Sequence, residues 1–147
     1  VGFIYIAIFT LREKIMRPCL VETLMTPIDN CVVVELDTTI RTLKKRLRKN
    51  RQRTAIVTGP RGTVAGVITV KDLEFAHNDD YVSDYYKAPP WTITADEPIG
   101  KARQLINEKK NHQLIVVDDR KKPVGILWDY DAILGCDDDE GDEGKKN

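Results

Sequence analysis

The sequence predicts an α/β protein of the α+β kind: two tandem repeats, each a small three-stranded sheet with two helices, packed sheet to sheet with pseudo-twofold symmetry. Three observations predict this. First, the chain repeats itself at an offset of 59 residues: Asp37-Thr38-Thr39-Ile40 aligns with Asp96-Glu97-Pro98-Ile99, Ala55-Ile56-Val57-Thr58 with Leu114-Ile115-Val116-Val117, and Gly66-Val67-Ile68 with Gly125-Ile126-Leu127. Self-similarity at a fixed period means one supersecondary unit used twice. Second, each copy alternates a helical apolar period with short apolar runs bounded by turn residues, the pattern of mixed helix and strand. Third, a copy of about 55 residues buries too little surface to be stable alone, so the two must share a core.

In chain order, residues 1–14 stand apart from the rest. Val1 to Phe9 is nine residues of nearly pure hydrophobicity. That is too short for a bilayer, which takes about 20 residues, and no basic region precedes it as in a signal peptide. With Arg12, Lys14 and Arg17 behind it, the stretch reads either as a remnant of a transmembrane helix at its cytoplasmic end or as a first core element.

The first repeat is expected over residues 15–78 and the second over 79–135. A short helix around Leu20 to Met25 precedes a strand at Val32 to Val34, and an amphipathic helix follows, capped by Asp37, with Ile40, Leu43 and Leu47 on one face. Strands at Thr54 to Val57 and Val64 to Ile68 flank the turn Gly59-Pro60-Arg61-Gly62, and a closing helix begins beside Asp72. The second copy repeats the plan. Its strands lie at Thr92-Ile93, Leu114 to Val117 and Pro123 to Leu127, its helix is capped by Asp96, and its closing helix begins beside Asp131. Pro98 is tolerated in that helix's first turn, where N–H groups have no intrahelical partner. Near the repeat starts the offset becomes 61, so the first copy carries extra residues in the loop Pro27 to Asn30. Residues 136–147 hold no run of apolar residues and read as an acidic, disordered, solubilising tail.

Composition narrows the function classes. The chain has 147 residues, 41% of them hydrophobic, and zero formal net charge. Residues 41–53 carry eight Lys or Arg and no aromatic, which suits the solvated face of a helix rather than a nucleic-acid surface. Cys19, Cys31 and Cys136 lack metal-ligand spacing and cannot all pair, which points to thiols in a reducing compartment without assigned chemistry. His77 and His112 are the only histidines, and no Ser-His, Cys-His, HExxH or P-loop pattern accompanies them. Independent catalysis is not expected, and no metal site either.

The stretch Gly66 to Asp72 carries the chemistry that remains. If the strand ends at Thr69 and a helix follows, the Thr69 hydroxyl and nearby N–H groups sit at a helix N-terminus, where phosphate is favoured. Asp72, one turn in, could accept from the hydroxyls of a ribose. The same residues also serve as an ordinary N-cap and a first-turn acid. Pro89-Pro90-Trp91 precedes a strand, where it could hold a ligand or simply pack.

Leu24-Met25-Thr26-Pro27 opening the first copy, and Gly66-x-x-Thr69-x-x-Asp72 closing it, resemble the CBS-domain pair, or Bateman module, over about residues 15–135. The resemblance implies a regulatory module that binds an adenosine-containing ligand between the repeats. AMP, ADP or ATP is implied, and S-adenosylmethionine less so. It implies control of an attached or partner enzyme, channel or membrane domain, a homodimer, and a cytoplasmic location, at the face of a membrane if residues 1–9 are a helix end. One such family of membrane proteins is the site-two-type metalloproteases. A ligand-free dimerisation module is the alternative. Carried over residue by residue, Thr69 and Asp72 with neighbours Ile68 and Lys71 would hold phosphate and ribose. Ala88 to Trp91, with Asn111 and His112, would frame the ligand from the other copy, and Arg53 takes the place of His112 in the first copy. His112 could equally complement a helix C-terminus. A second site would involve Asp131, Trp128 and Thr26. There Trp128 replaces the hydroxyl of Thr69, and it either fills the cleft or stacks on a base.

Overall fold

The computed structural model describes residues 18–136. The expectations for the apolar segment before Pro18 and for the acidic tail after Cys136 lie outside the described residues. The elements are α1 (Val21–Leu24), β1 (Thr26–Pro27), β2 (Val32–Glu35), α2 (Ile40–Asn50), β3 (Thr54–Thr58), β4 (Val64–Thr69), β5 (Thr92–Thr94), α3 (Ile99–Lys109), β6 (Gln113–Val117), β7 (Pro123–Trp128) and α4 (Asp129–Leu134). Single 3-10 turns lie at Ile28–Asn30, Val70–Leu73 and Val82–Asp84.

Each copy folds as a strand, a crossover helix and a hairpin. β2 runs parallel to β3 and β3 antiparallel to β4; β5, β6 and β7 repeat the arrangement. Alternation along β3 sends Ala55 and Val57 toward α2, where Ile40, Leu43 and Leu47 are buried, and Ile56 toward the other sheet. β6 does the same: Leu114 and Val116 join the core beneath α3, while Ile115 and Val117 meet Ile56 and Ile126 between the sheets. The two copies therefore pack sheet to sheet through a third apolar cluster.

The copies also exchange their leading segments. β1 belongs to the first copy in sequence but adds a fourth strand to the second sheet, with Thr26 opposite Ile126. Val21 of α1 is buried with Ile93, Ile99, Leu114 and Leu127. Reciprocally, Val82 is buried with Val32, Ile40, Ala55 and Ile68, and its N–H donates to the Thr38 carbonyl at 2.8 Å. The leader of the second copy crosses β4 at Val67, where Val67 and Lys87 exchange backbone hydrogen bonds of 3.1 and 2.8 Å. Both crossings need glycine. A Cβ on Gly66 would overlap the Lys87 carbonyl, and one on Gly125 would overlap the Thr26 carbonyl.

Four expectations are corrected. Asp37 does not cap α2. It lies in a tight turn closed by Thr38 N–H to the Glu35 carbonyl, so the helix starts later, and Thr39 caps it by accepting from the Thr42 N–H at 3.2 Å. Asp96 does not cap α3 either, because the residue at that position is Pro98, which has no side-chain acceptor. The closing helix of the first copy is only the 3-10 turn Val70–Leu73, whereas the second copy has a true helix, α4. Finally, Cys19 and Cys136 form a disulfide, with Cα atoms 6.2 Å apart across 117 residues of sequence. Leader exchange brings the start of the described chain to the end of α4, a proximity that cysteine spacing could not show. Cys31 is the free cysteine, its thiol pushed up to about 11 by burial, against a hydrogen bond with the Ile126 backbone that pulls it down. Among the described residues no helix is long and apolar enough to cross a membrane.

Candidate functional site

β4 ends where its own side chains turn the chain. The Thr69 N–H and hydroxyl both donate to Asp72 Oδ2, at 2.9 and 3.0 Å, and the Val70 N–H donates to the Arg53 carbonyl at 2.9 Å. The other Asp72 oxygen, Oδ1, lies 3.1 Å from Lys87 Nζ, the residue that the leader crossing holds beside β4. The Asp72 side chain is only 9% exposed. Burial would raise its pKa. The Thr69 amide, Lys87 and the Thr69 hydroxyl outweigh that and hold the carboxyl below the usual carboxylate range. Asp72 is thus a structural tie between the turn and the other copy's leader, not an exposed first-turn acid.

Between the copies opens a cleft of about 610 Å³, within the size range of small-molecule sites. Arg51, Arg53, Thr69, Lys71 and Lys87 line it on one side, and Asn111, His112 and Trp128 on the other. A smaller recess of about 140 Å³, lined by Pro89, Pro90 and Trp91, shares Val67, Lys87, Asn111 and Gln113 with the larger cleft. The two form one groove, cationic in its wide part and apolar and aromatic at its narrow end. Trp91 is half-exposed there, with Lys109 Nζ 4.8 Å from the centre of its ring.

Several predicted residues meet in this groove: Arg53, Thr69, Lys71, Asn111, His112 and Trp128 in the wide part, Trp91 in the recess. Asn111 is a loop brace as well. Its amide donates to the Gln113 carbonyl at 2.8 Å and its oxygen accepts the His112 N–H at 3.0 Å. The His112 ring is 89% exposed and pairs through Nδ1 with Asp129 Oδ2 at 2.9 Å, while the Asp129 N–H donates to the His112 carbonyl at 2.8 Å.

Others do not meet there. Ile68 is fully buried beneath α2, because strand alternation turns it away from the groove. Ala88, joined to Pro89 by a cis peptide, lines neither part, and neither does Asp72. Thr26 sits in β1 against β7, and Asp131 lies on α4, where its carbonyl accepts the Gly135 N–H at 2.9 Å. Trp128, which does line the groove, also packs against the inter-sheet cluster, as Ile28, Cys31 and Val67 do.

Sequence reasoning missed Arg51, Lys87 and Asp129. Arg51 lies in the basic run assigned to solvent, and it enters the groove because it ends α2 in a left-handed conformation at φ 54°. Lys87 directly precedes the Ala88 to Trp91 loop and could have been found there. Asp129 stands at the repeat position of Val70, so the alignment offered no hint of a histidine partner. Among the described residues no group of His, Cys, Asp or Glu could hold a metal ion.

The CBS domain family matches this chain twice, over residues 21–77 and 82–127. The chain belongs to the CBS domain family. Its fold is that of a CBS pair, a non-catalytic regulatory module. An uncharacterized protein of Methanocaldococcus jannaschii is 31% identical over 88 residues, covering 56% of this chain and 21% of that protein. The chain thus spans about a fifth of the length of that relative. The cytosolic domain of the Mg²⁺ channel MgtE in complex with ATP is similar at a TM-score of 0.71 and 23% identity, over 82% of this chain and 51% of that one. CBSX2 of Arabidopsis thaliana in complex with AMP is similar at a TM-score of 0.66 and 21% identity, over 87% of this chain and 98% of that one.

Proposed function

We propose that this CBS pair binds an adenosine-containing nucleotide in the groove between its copies and thereby regulates an attached or partner protein. The observation that carries the reading is the groove's polarity: a recess lined by Pro89, Pro90 and Trp91 suits a purine face, and the adjoining wide part presents Arg51, Arg53, Lys71 and Lys87 to phosphate. Similarity to folds solved with ATP and with AMP supports it. The cations disfavour S-adenosylmethionine, whose sulfonium is itself positive. An enzyme, channel or transporter is the regulated partner we propose, on the cytoplasmic side of a membrane, as the likeness to a channel's cytosolic domain suggests. Thermal unfolding with and without AMP, ADP and ATP tests the reading, since a ligand that binds only the folded state raises apparent stability. No shift with any of the three would refute it.

A ligand-free dimerisation module is the second reading. Phe75, just past the 3-10 turn of the first copy, and Tyr130, Ile133 and Leu134 on α4 are exposed apolar side chains, the kind of surface a second copy covers. A homodimer is compatible with both readings. Light scattering that gives a monomer mass at tens of micromolar would refute this second reading and remove the homodimer from the first.

A further inference from the structure

We infer that the groove selects a nucleoside polyphosphate, a triphosphate best, over a monophosphate; the inference rests on the nucleotide reading above. Part of what the turn after β4 could offer a phosphate is already spent. The Thr69 N–H and hydroxyl are both engaged with Asp72, and the Val70 N–H with the Arg53 carbonyl. Phosphate charge in the groove is met chiefly by the side-chain cations that line it.

Arg51, Arg53, Lys71 and Lys87 all line the wide part. Lys87 is already paired with Asp72, while Arg51, Arg53 and Lys71 form no ion pair among the described residues. Like charges gathered without counter-charge repel, and each added phosphate relieves that repulsion while supplying further acceptor oxygens. A single phosphate ester carries about −1.5 to −2 charge at neutral pH, too little to engage three unpaired cations in full.

Room and charge placement agree with this. The wide part holds about 610 Å³ against about 140 Å³ in the Trp91 recess, so a base seated in the recess leaves most of the groove to its phosphates. The carboxylate on the opposite side, Asp129, is held by His112 at 2.9 Å. All three unpaired cations come from the first copy. The chain of phosphates would run from the recess past Lys87 toward Arg51, Arg53 and Lys71.

The test is calorimetric titration of the full chain with AMP, ADP, ATP and inorganic tripolyphosphate at fixed ionic strength, repeated on Arg53→Gln and Lys71→Gln. These exposed side chains bear little on folding, which unchanged melting temperatures would verify. Affinity is expected to rise at least about tenfold from AMP to ATP, with ADP between, because charge-assisted hydrogen bonds are added. Each substitution should remove most of that gain and change AMP affinity less than about threefold. Tripolyphosphate competing with ATP would support the cation account. AMP binding as tightly as ATP would overturn the inference and leave the nucleotide reading standing. Binding of none of the nucleotides would overturn the nucleotide reading itself, and this one with it.

Discussion

The turn after β4 and the turn after β7 occupy equivalent places in the two copies, yet they have become opposite things. In the first, Thr69 and Asp72 tie a short 3-10 turn to Lys87, beside an open, cationic groove. In the second, Trp128 stands where Thr69 would, packs on the inter-sheet cluster with Ile28, and starts a full helix. That helix is clamped at its end. Arg103 donates to the Ala132 and Gly135 carbonyls at 2.6 and 3.0 Å, and Cys136 is bonded to Cys19. The comparison teaches that one template yields a wet, charged end or a packed, fastened one, depending on whether a hydroxyl or an indole ends the last strand. Thr69 spends its hydroxyl on Asp72, whereas the Trp128 indole packs on the inter-sheet cluster while it lines the groove that the two turns share.

The largest expected effect breaks the fastened end. Cys136→Ser removes a cross-link that closes a loop of more than a hundred residues, and should cost about 2–4 kcal/mol in urea unfolding. An equal midpoint for wild type and variant under oxidising conditions would show that the bond contributes nothing to stability.

Next comes the tie at the open end. Asp72→Ala leaves the Thr69 N–H without its partner and Lys87 without its counter-charge, so stability should fall by roughly 1–3 kcal/mol. The pH dependence has a definite sign. Because the folded pKa of Asp72 is depressed, its contribution is present above the unfolded carboxyl value of about 4 and is lost as pH falls through the lower folded value. The difference in stability between wild type and Asp72→Asn should shrink on acidification across that window. A difference that stays constant would remove Asp72's charge from the account.

An effect of similar size sharpens the crossing that the two copies share. Gly66→Ala and Gly125→Ala each force a leader strand off its partner, and both should destabilise by about 1–3 kcal/mol. A neutral Gly125→Ala beside a damaging Gly66→Ala would mean that β1 is held less firmly than the leader at Lys87.

The smallest concerns the helix starts. Thr39→Ala should cost about 1 kcal/mol, and Asp37→Ala less than about 0.5 kcal/mol, because only Thr39 accepts from a helix N–H. Reversed values would restore Asp37 as the cap.

Most of the fold was readable from residue types. Short apolar runs such as Leu114 to Val117, repeated at one offset, are strands because alternate side chains must reach two different cores. The exchange of leaders was not readable, since Val21 and Val82 look equally suited to either copy. Everything that depends on the exchange was hidden with it: the Cys19–Cys136 bond, the placement of Lys87, and the burial of Asp72. In the groove, Thr69, Arg53, His112 and Trp91 were readable through the repeat and the resemblance. Ile68 was misplaced because a residue adjacent to a site residue in a strand points the other way.

The difference between the two turns is tested most directly by nucleotide stoichiometry. Titration of the full chain with ATP should give one nucleotide per chain, with Asp131→Ala leaving its affinity unchanged and Trp91→Ala weakening it about tenfold or more. Two equivalent nucleotides per chain, both sensitive to Asp131→Ala, would contradict the account, because the turn after β7 would then serve a nucleotide as competently as the turn after β4.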